Sequence, residues 1–271
     1  WGISANNNEF ELIRSFPVSD WHIIFSKFFS IFTILVLSLL LLFPFIITIY
    51  YLGNPDDGII ITTFISCILI IFFYISLSLF LSSLVPDPVG SFTLSLMVSF
   101  FLVLFGWNSF HEFLNNFFPI FVIEIFKVFS PITWIDYLIT GRINFQSLYY
   151  FIAFPLLFIL FTKFSLDLKY YNSLKLLKKS LIYLIIILLI FIFLFIKIIP
   201  LNYSIDLTDN KIYSLSDKSD KILKKIPKNI EVNLFWSKSE TSVPSEINSY
   251  GNYINDFLYQ ISKEYNLKLN V

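Results

Sequence analysis

Residues 9–51 read EFELIRSFPVSDWHIIFSKFFSIFTILVLSLLLLFPFIITIYY. The segment from Glu9 to Lys27 is amphipathic and charged, whereas no charged side chain follows Lys27 until Asp56. At a rise of about 1.5 Å per residue, an uncharged run of this length exceeds the roughly 30 Å hydrocarbon core of a bilayer. The stretch therefore predicts a polar segment at the membrane surface, followed by a first span at about Phe28 to Tyr51.

Four further apolar runs follow the first. They predict spans at about Ile59 to Leu84, Val89 to Trp107, Ile143 to Thr162 and Ser180 to Ile199, with Pro155 as a tolerated kink. The separators Gly53 to Gly58 and Pro86 to Pro88 have turn composition, so neighbouring spans should form hairpins. Around 110–130, apolar side chains at helical spacing predict an amphipathic helix that lies in the membrane interface. These side chains are Phe117, Phe121, Ile125 and Phe129.

The composition also indicates a membrane protein. Hydrophobic residues make up 56% of the chain and charged residues 14%, with a formal net charge of +0. A soluble domain of this length could not bury so much apolar surface in one core. The stretch from Pro200 to Val271 carries nine of the 19 basic and nine of the 19 acidic residues. We therefore expect a membrane domain first and a water-exposed domain second.

In the C-terminal region, the spacing of hydrophobic residues alternates between that of helices and that of strands. Ser216 suits a helix N-cap, the residues from Ile230 to Trp236 alternate as in a half-buried strand, and Pro244 opens a second helix. Alternation returns from Leu267, and a strand, a helix and a strand in this order are typical of parallel α/β domains. The predicted fold is a polytopic α-helical membrane protein with about five transmembrane helices, followed by part of a soluble α/β domain. Because the chain ends within a predicted strand, we expect it to be a fragment.

The lysines set the expected topology. The loop from Lys163 to Lys179 carries the largest excess of positive charge near span ends, so the positive-inside rule places it in the cytoplasm. The segment before the first span then lies on the same side, whereas the Asp56 loop and the residues after Pro200 face outward. The expected division is a surface segment (1–27), a four-span domain (28–166), a basic linker (167–179), a fifth span (180–199) and an outer domain (200–271).

Several kinds of site have no support in the sequence. The chain has seven glycines and no G-x-x-x-x-G-K-[ST] loop, so we expect no nucleotide site in this chain. His22, His111 and the single Cys67 form no metal-binding spacing, and the serines lack a paired histidine and carboxylate. No ionisable group stands in the middle of a predicted span, which argues against an ion-coupled carrier. We predict no catalytic, cofactor or metal residues and no nucleic-acid partner.

The polar segment before the first span resembles the corresponding segment of ABC-2 type permeases. There, a Glu-rich start is followed by L-x-x-x-P-[VI]-[ST] and, about seven residues later, by a lysine at the mouth of a span. The matching positions are Glu9, Glu11, Pro17, Val18, Ser19 and Lys27, with Leu12 one place further from Pro17 than usual. The stretch from Ser130 to Gly141 is similar to the one before the last span of that family. The resemblance implies that the segment, including Arg14, is a cytoplasmic coupling helix that docks on an ATP-binding subunit.

The beginning of the outer domain resembles the auxiliary component of gliding-motility type ABC transporters, whose pattern is R-[IL]-D-L-T-x-x-K-x-[YF]-[ST]-L-S. Ser204 stands where that family usually has Arg. The matching residues are Asp206, Leu207, Thr208, Lys211, Tyr213, Ser214, Leu215 and Ser216. Taken together, the chain resembles a GldF-like permease fused to the start of a GldG-like component.

These resemblances imply a transmembrane subunit of an ATP-driven transporter in a bacterial cytoplasmic membrane. ATP and Mg²⁺ would bind to a partner ATP-binding subunit, a second permease copy would complete the membrane part, and the outer domain could meet a cell-envelope partner. Two alternatives remain open. One is a polytopic enzyme acting on lipid-linked substrates, with Glu112, Glu124, Asp136 and Arg142 as leading catalytic candidates. The other is a membrane anchor for an extracellular binding domain, although such an anchor needs no multi-span hairpins.

Overall fold

A computed structural model describes residues 16–115, 117–170, 174–198 and 204–209 of the chain. It also describes residues 211, 213–214, 221–223, 231–235 and 268–270, and several helical positions between 247 and 262. Helices dominate the described residues, and the strands are short.

The first long apolar helix begins earlier than the sequence predicts. Helix α1 (Asp20–Leu39) starts directly after the exposed Pro17, Val18 and Ser19, and a 3-10 turn (Leu40–Leu42) joins it to α2 (Phe43–Leu52). The predicted boundary after Lys27 thus falls within one helix and stays a prediction. No helix-breaking residue lies between Asp20 and Leu39, so the polar segment continues into the span as one helix.

Helix α3 (Asp57–Leu84) and helix α4 (Pro88–Leu104) form a hairpin, as the turn residues between them predict. The Asp56 carboxylate accepts a hydrogen bond from the Ile59 backbone N–H at 3.1 Å, and Asp87 accepts one from the Gly90 N–H at 2.6 Å. Both aspartates are thus helix N-caps, which agrees with the prediction that they are turn residues.

The segment predicted as one interfacial helix at about 110–130 is divided. It contains α5 (Asn108–Asn115) and α6 (Ile120–Phe129), and α7 (Pro131–Ile139) follows directly. The residue before Pro119 is disfavoured in a helical conformation, which accounts for the break between α5 and α6. Phe117, Phe121, Ile125 and Phe129 are nevertheless all exposed, so the apolar surface that the spacing predicts is present.

Strand β1 (Arg142–Asn144) precedes helix α8 (Phe145–Tyr170), which contains Pro155 in its interior, and α9 (Leu174–Ile198) comes next. Ile143, the predicted start of the fourth span, therefore belongs to a strand. The predicted basic linker at 167–179 is mostly helical, because α8 continues to Tyr170 and α9 begins at Leu174.

Three helical stretches among the described residues are long and apolar enough to cross a membrane: Asp20–Leu52, Asp57–Leu84 and Phe145–Lys169. A fourth is reached if Pro88–Leu104 and Ser109–Asn115, which are bent by 91° relative to each other, count as one broken span. The apolar stretch within α9, Leu181–Phe195, is shorter than these three. The structure therefore supports a membrane protein with about three long apolar helices, and the count of five spans stays a prediction.

Helices α3 and α8 form the centre of the bundle and make its most extensive contact. Two clusters of buried apolar side chains lie along this contact. The first contains Ile23, Ile24, Phe28, Ile75, Leu79, Ile159 and Leu166. The second contains Phe73, Leu77, Leu81, Trp134, Leu138, Tyr150, Phe151 and Phe154. The first cluster joins α1 to α3 and α8, and the second joins α7 to the same two helices.

Two pairs of short strands complete the described structure. Strand β2 (Ser204–Asp206) pairs antiparallel with β1, and β3 (Glu231–Asn233) pairs in parallel with β4 (Lys268–Asn270). Strands β3 and β4 lie within the two predicted strands of the C-terminal region, and the soluble α/β domain stays a prediction. The β1–β2 pair was not predicted, and it connects the C-terminal region to the helix bundle.

Candidate functional site

One end of the bundle carries a charged network that joins three helices. The Lys163 ammonium of α8 lies 2.9 Å from the Asp20 carboxylate of α1 and also pairs with Asp167, one turn further along α8. The side chains are only 18% exposed for Lys163, 7% for Asp20 and 10% for Asp167. We call this group the charged triad and the surrounding part of the bundle the charged end.

The third helix joins the charged end through its C-terminal carbonyl groups. The Lys169 ammonium donates to the Ser83 carbonyl oxygen at 2.6 Å, and it also lies 3.3 Å from the Leu84 carbonyl. The buried Ser165 hydroxyl donates to the same Ser83 carbonyl at 3.1 Å. A cation at the C-terminus of α3 is favoured because the last carbonyls have no partner within the helix and bear partial negative charge.

The charged triad makes the start of α1 and the end of α8 mechanically dependent on each other. Removing one partner of a buried ion pair commonly costs about 3–5 kcal/mol, because the remaining charge stays desolvated. Here two carboxylates share one ammonium, so Asp20 and Asp167 both depend on Lys163. A displacement of α1 at Asp20 therefore acts directly on α8.

The predicted coupling residues fall partly within the described chain. Pro17, Val18 and Ser19 are exposed just before α1, and the Ser19 hydroxyl lies 2.6 Å from His22 Nδ1. Glu9, Glu11, Leu12 and Arg14 lie outside the described residues. The exposed side chains of Phe16 and Val18, together with Pro17 and Ser19, offer a contact surface immediately next to the charged triad.

Lys27 lies elsewhere, at a groove in the side of the bundle. The groove has a volume of about 760 Å³ and lies between α1, α3 and α4. Its apolar walls are interrupted by Lys27 and by two serines from each helix: Ser26, Ser30, Ser78, Ser82, Ser91 and Ser95. Ser82 and Ser91 lie close to the ends of α3 and α4 at the charged end, whereas Ser30 lies in the middle of α1, so the polar side chains extend from the charged end into the bundle.

Sequence reasoning missed the charged triad. Asp20 stood in the polar segment, and Lys163 was counted only as a topology signal. The available signal was the spacing of Lys163 and Asp167, since oppositely charged residues four positions apart lie on the same face of a helix. No pattern in the sequence connects that pair to Asp20, which lies in a different helix.

At the other end of the bundle, the predicted auxiliary motif forms an ordered turn. One oxygen of the Asp206 carboxylate accepts from the Thr208 backbone N–H at 3.0 Å and from the Thr208 hydroxyl at 2.6 Å. The other oxygen accepts from the Tyr213 backbone N–H at 2.7 Å. Asp206 therefore organises the residues that follow β2, and Thr208 is buried. We call this part of the bundle the strand end.

The remaining motif residues extend the same turn. Lys211 has a φ of +46°, in the left-handed region, which costs roughly 1 kcal/mol for a residue with a side chain. Its N–H donates to the Thr208 carbonyl at 3.0 Å, and its own carbonyl accepts from the Ser214 N–H at 3.1 Å. Leu207 is exposed, and Leu215 and Ser216 lie outside the described residues.

The four residues named as catalytic candidates for the alternative enzyme lie on separate elements: Glu112 on α5, Glu124 on α6, Asp136 on α7 and Arg142 on β1. The Arg142 guanidinium lies 4.3 Å from the centre of the Tyr213 ring and 5.3 Å from that of Tyr137. Partial desolvation raises the pKa of the Asp136 carboxyl, although its side chain stays exposed. Arg142 is thus part of the packing around the Asp206 turn.

Within the described part of the chain, no three His, Cys, Asp or Glu side chains come together in a way that could hold a metal ion. His111 is buried, with its Nε2 atom 2.5 Å from the Phe105 carbonyl oxygen. Its position is that of a packed side chain in the bend between α4 and α5.

Residues 209–271 match the model of a family described as Domain of unknown function (DUF7088). The match begins at Asp209, within the turn at the strand end, and covers the C-terminal region. Neither a curated protein nor a solved structure matches the chain.

Proposed function

We propose that this chain is the membrane subunit of an ABC-2 type transporter, driven by a separate ATP-binding subunit and placed in a bacterial cytoplasmic membrane. The exposed Pro17, Val18 and Ser19 would receive the partner, and ATP and Mg²⁺ would bind to that partner. The resemblance of residues 9–27 to a coupling helix and the presence of long apolar helices support this proposal.

The observation that carries the proposal is the ion pair between Lys163 and Asp20. A coupling segment must be attached to the spans that it moves, and Asp20 follows directly after the predicted contact surface. The buried triad gives this attachment, because separating Asp20 from Lys163 would leave desolvated charges. An ordinary interfacial anchor would need no buried contact with a distant span.

A movement at Ser19 would then pass along two routes. The charged triad would carry it to α8, and the apolar cluster around Ile24 and Phe28 would carry it to α3 and α8. Because packed helices shift as rigid bodies, a displacement of a few ångströms at one end would alter access at the other.

The groove between α1, α3 and α4 supplies a surface on which a transport path could form. Its serines and Lys27 give polar contacts in an otherwise apolar wall, and it opens at the side of the bundle. A second permease copy, or membrane lipid, would cover this opening. The outer domain would then collect substrate or contact a partner in the cell envelope.

The proposal is tested by co-purification with an ABC-type ATP-binding protein encoded beside this chain. Val18→Glu places a charge in the predicted contact surface, where the native side chain is 44% exposed. We expect the variant to retain at least about tenfold less of the ATP-binding protein, which corresponds to about 1.4 kcal/mol of binding energy. Stimulation of ATP hydrolysis by the membrane subunit should fall in parallel.

Leu52→Glu is the matched control, because Leu52 is also an exposed aliphatic residue and lies at the far end of the same helical stretch. This variant should retain the ATP-binding protein. Equal retention by both variants, or no retention by the unaltered chain, would contradict the proposal.

A further inference from the structure

The turn after β2 approaches the helix bundle so closely that two positions must be glycine. A Cβ atom on Gly58 would lie 1.7 Å from the Leu207 carbonyl oxygen. A Cβ atom on Gly141 would lie 2.5 Å from the Thr208 Cγ2 atom, and the φ of Gly141 is +89°. Both distances are far below van der Waals contact, so any side chain at Gly58 or Gly141 would push the turn away from the bundle.

The backbone contact continues on both sides of these glycines. Strand β2 pairs with β1 in a register that sets Ile143 opposite Ile205, and the Leu207 N–H donates to the Gly141 carbonyl at 3.0 Å. These hydrogen bonds join residues that are distant in the sequence. They also satisfy backbone groups that would otherwise need water.

A reciprocal exchange of aspartate hydrogen bonds fixes the same turn to the start of α3. The Asp209 carboxylate accepts from the Asp57 backbone N–H at 3.1 Å, and the Asp56 carboxylate accepts from the Asp209 N–H at 3.0 Å. Carboxylates are favoured at a helix N-terminus, because the first N–H groups have no partner within the helix. Asp209 therefore acts as a second cap on α3, supplied by the C-terminal region.

We infer that the strand end is a docking surface for the chain's own residues 204–209, 211 and 213, which fix the start of the C-terminal region to α3 as a rigid joint. The joint consists of Asp56 and Gly58, Gly141 with β1, and the turn from β2 to Tyr213. Through it, a displacement of α3 is passed directly to the C-terminal region. The inference deepens the proposed function, since it makes the outer domain a moving part of the transporter.

The joint is tested by disulfide formation across β1 and β2 in the full chain, in native membrane vesicles. The variant carries Cys67→Ser, Ile143→Cys and Ile205→Cys. Opposed residues of antiparallel strands lie about 4.5–5.5 Å apart between Cα atoms, which suits a disulfide. Mild oxidation should form the disulfide in most molecules. A polymer-linked maleimide, which shifts the protein on a gel once for each free thiol, should then give neither of its two shifts. A pair made from Ile143→Cys and Val232→Cys should stay reduced, because Val232 pairs with Leu269 in the other sheet.

The two glycines Gly58 and Gly53 give a matched test of the close approach. A Cβ atom on Gly53 meets nothing within 4 Å, whereas one on Gly58 collides with Leu207. In the background with the cysteine pair, Gly58→Ala should slow disulfide formation at least about fivefold, and Gly53→Ala should leave it unchanged. Asp209→Ala is a milder change at an exposed residue and should slow disulfide formation by about twofold to fivefold. It replaces Gly58→Ala in the test if that variant fails to accumulate.

The proposed joint would be rejected if both cysteine pairs closed rapidly, or if the Ile143 and Ile205 pair closed slowly. It would also be rejected if Gly58→Ala and Gly53→Ala gave equal rates of disulfide formation. The reaction needs no ATP-binding protein, so its result is independent of the co-purification test. A rigid joint without ATPase binding would reject the proposed function alone.

Discussion

The two ends of the bundle are held together by different physical means. At the charged end, side chains make the contacts: Lys163 bridges Asp20 and Asp167, and Lys169 reaches the last carbonyls of α3. At the strand end, the backbone takes part in most of them, through a strand pair, two glycines and N–H groups that donate to the Asp56 and Asp209 carboxylates. The charged end should therefore respond to changes of charge, whereas the strand end should respond to added bulk and to lost hydrogen bonds.

The largest effect is expected from Lys163→Met. This change removes the ammonium that Asp20 and Asp167 share, and both carboxylates are largely buried, so we expect a loss of about 3 kcal/mol in stability. Thermal unfolding of the detergent-solubilised protein measures the loss. Lys178→Met removes the same charge from an exposed side chain at the start of α9 and should leave the melting temperature almost unchanged.

Combining Lys163→Met with Asp20→Asn and Asp167→Asn should restore part of the lost stability, because both side chains that lose the ammonium are then uncharged. If Lys163→Met melts at the same temperature as Lys178→Met, the triad does not hold the charged end together.

An intermediate effect is expected from Asp206→Asn at the strand end. The Thr208 and Tyr213 N–H groups donate to different oxygens of the carboxylate, and an amide replaces one of these oxygens with an NH2 group, which cannot accept. The lost hydrogen bond should cost about 1–2 kcal/mol. Hydrogen exchange of the amides in 204–214 should accelerate roughly tenfold.

Asp87→Asn is the control for this change, since asparagine is an equally good N-cap and should preserve the start of α4. Unchanged exchange at the strand end in Asp206→Asn would show that the carboxylate does not organise the turn.

The smallest effect is expected from Tyr213→Leu, which removes the ring beneath the Arg142 guanidinium. A cation–π contact at a partly exposed site contributes about 0.5–1 kcal/mol. Exchange in 204–214 should therefore rise by about twofold to fivefold, and Tyr213→Phe, which keeps the ring, should behave like the unaltered chain. A similar rise in both variants would assign the effect to the hydroxyl group and remove Arg142 from the joint.

The long helices could be predicted because charge and turn chemistry mark their ends. The predicted span from Ile59 to Leu84 differs from α3 only at its start, since Asp56 caps the helix and Pro86 prevents its continuation. The continuity of α1 through Lys27 was not predicted, because the polar residues from Asp20 to Lys27 look like a separate surface segment. Their contacts with α8 allow one helix to contain both parts.

The strand end could not be predicted from the sequence. Strands β1 and β2 have three residues each, too few for alternation to show, and they pair across a long stretch of chain. Gly58 and Gly141 read as ordinary turn residues until the Leu207 backbone is placed against Gly58 and the Thr208 side chain against Gly141. The continuation of α8 to Tyr170 was missed for a related reason, since Lys163 and Lys169 seem to end the span until their partners on α1 and α3 are known.

The central claim is that the charged end and the strand end face opposite sides of a membrane, with an ATP-binding partner at the first. Two exposed serines allow a matched measurement: Ser19→Cys at the charged end and Ser214→Cys at the strand end, each with Cys67→Ser. A membrane-impermeant maleimide applied to spheroplasts should label Ser214→Cys at once and Ser19→Cys only after the membrane is opened. Labelling of both cysteines in intact spheroplasts, or of neither, would contradict the account.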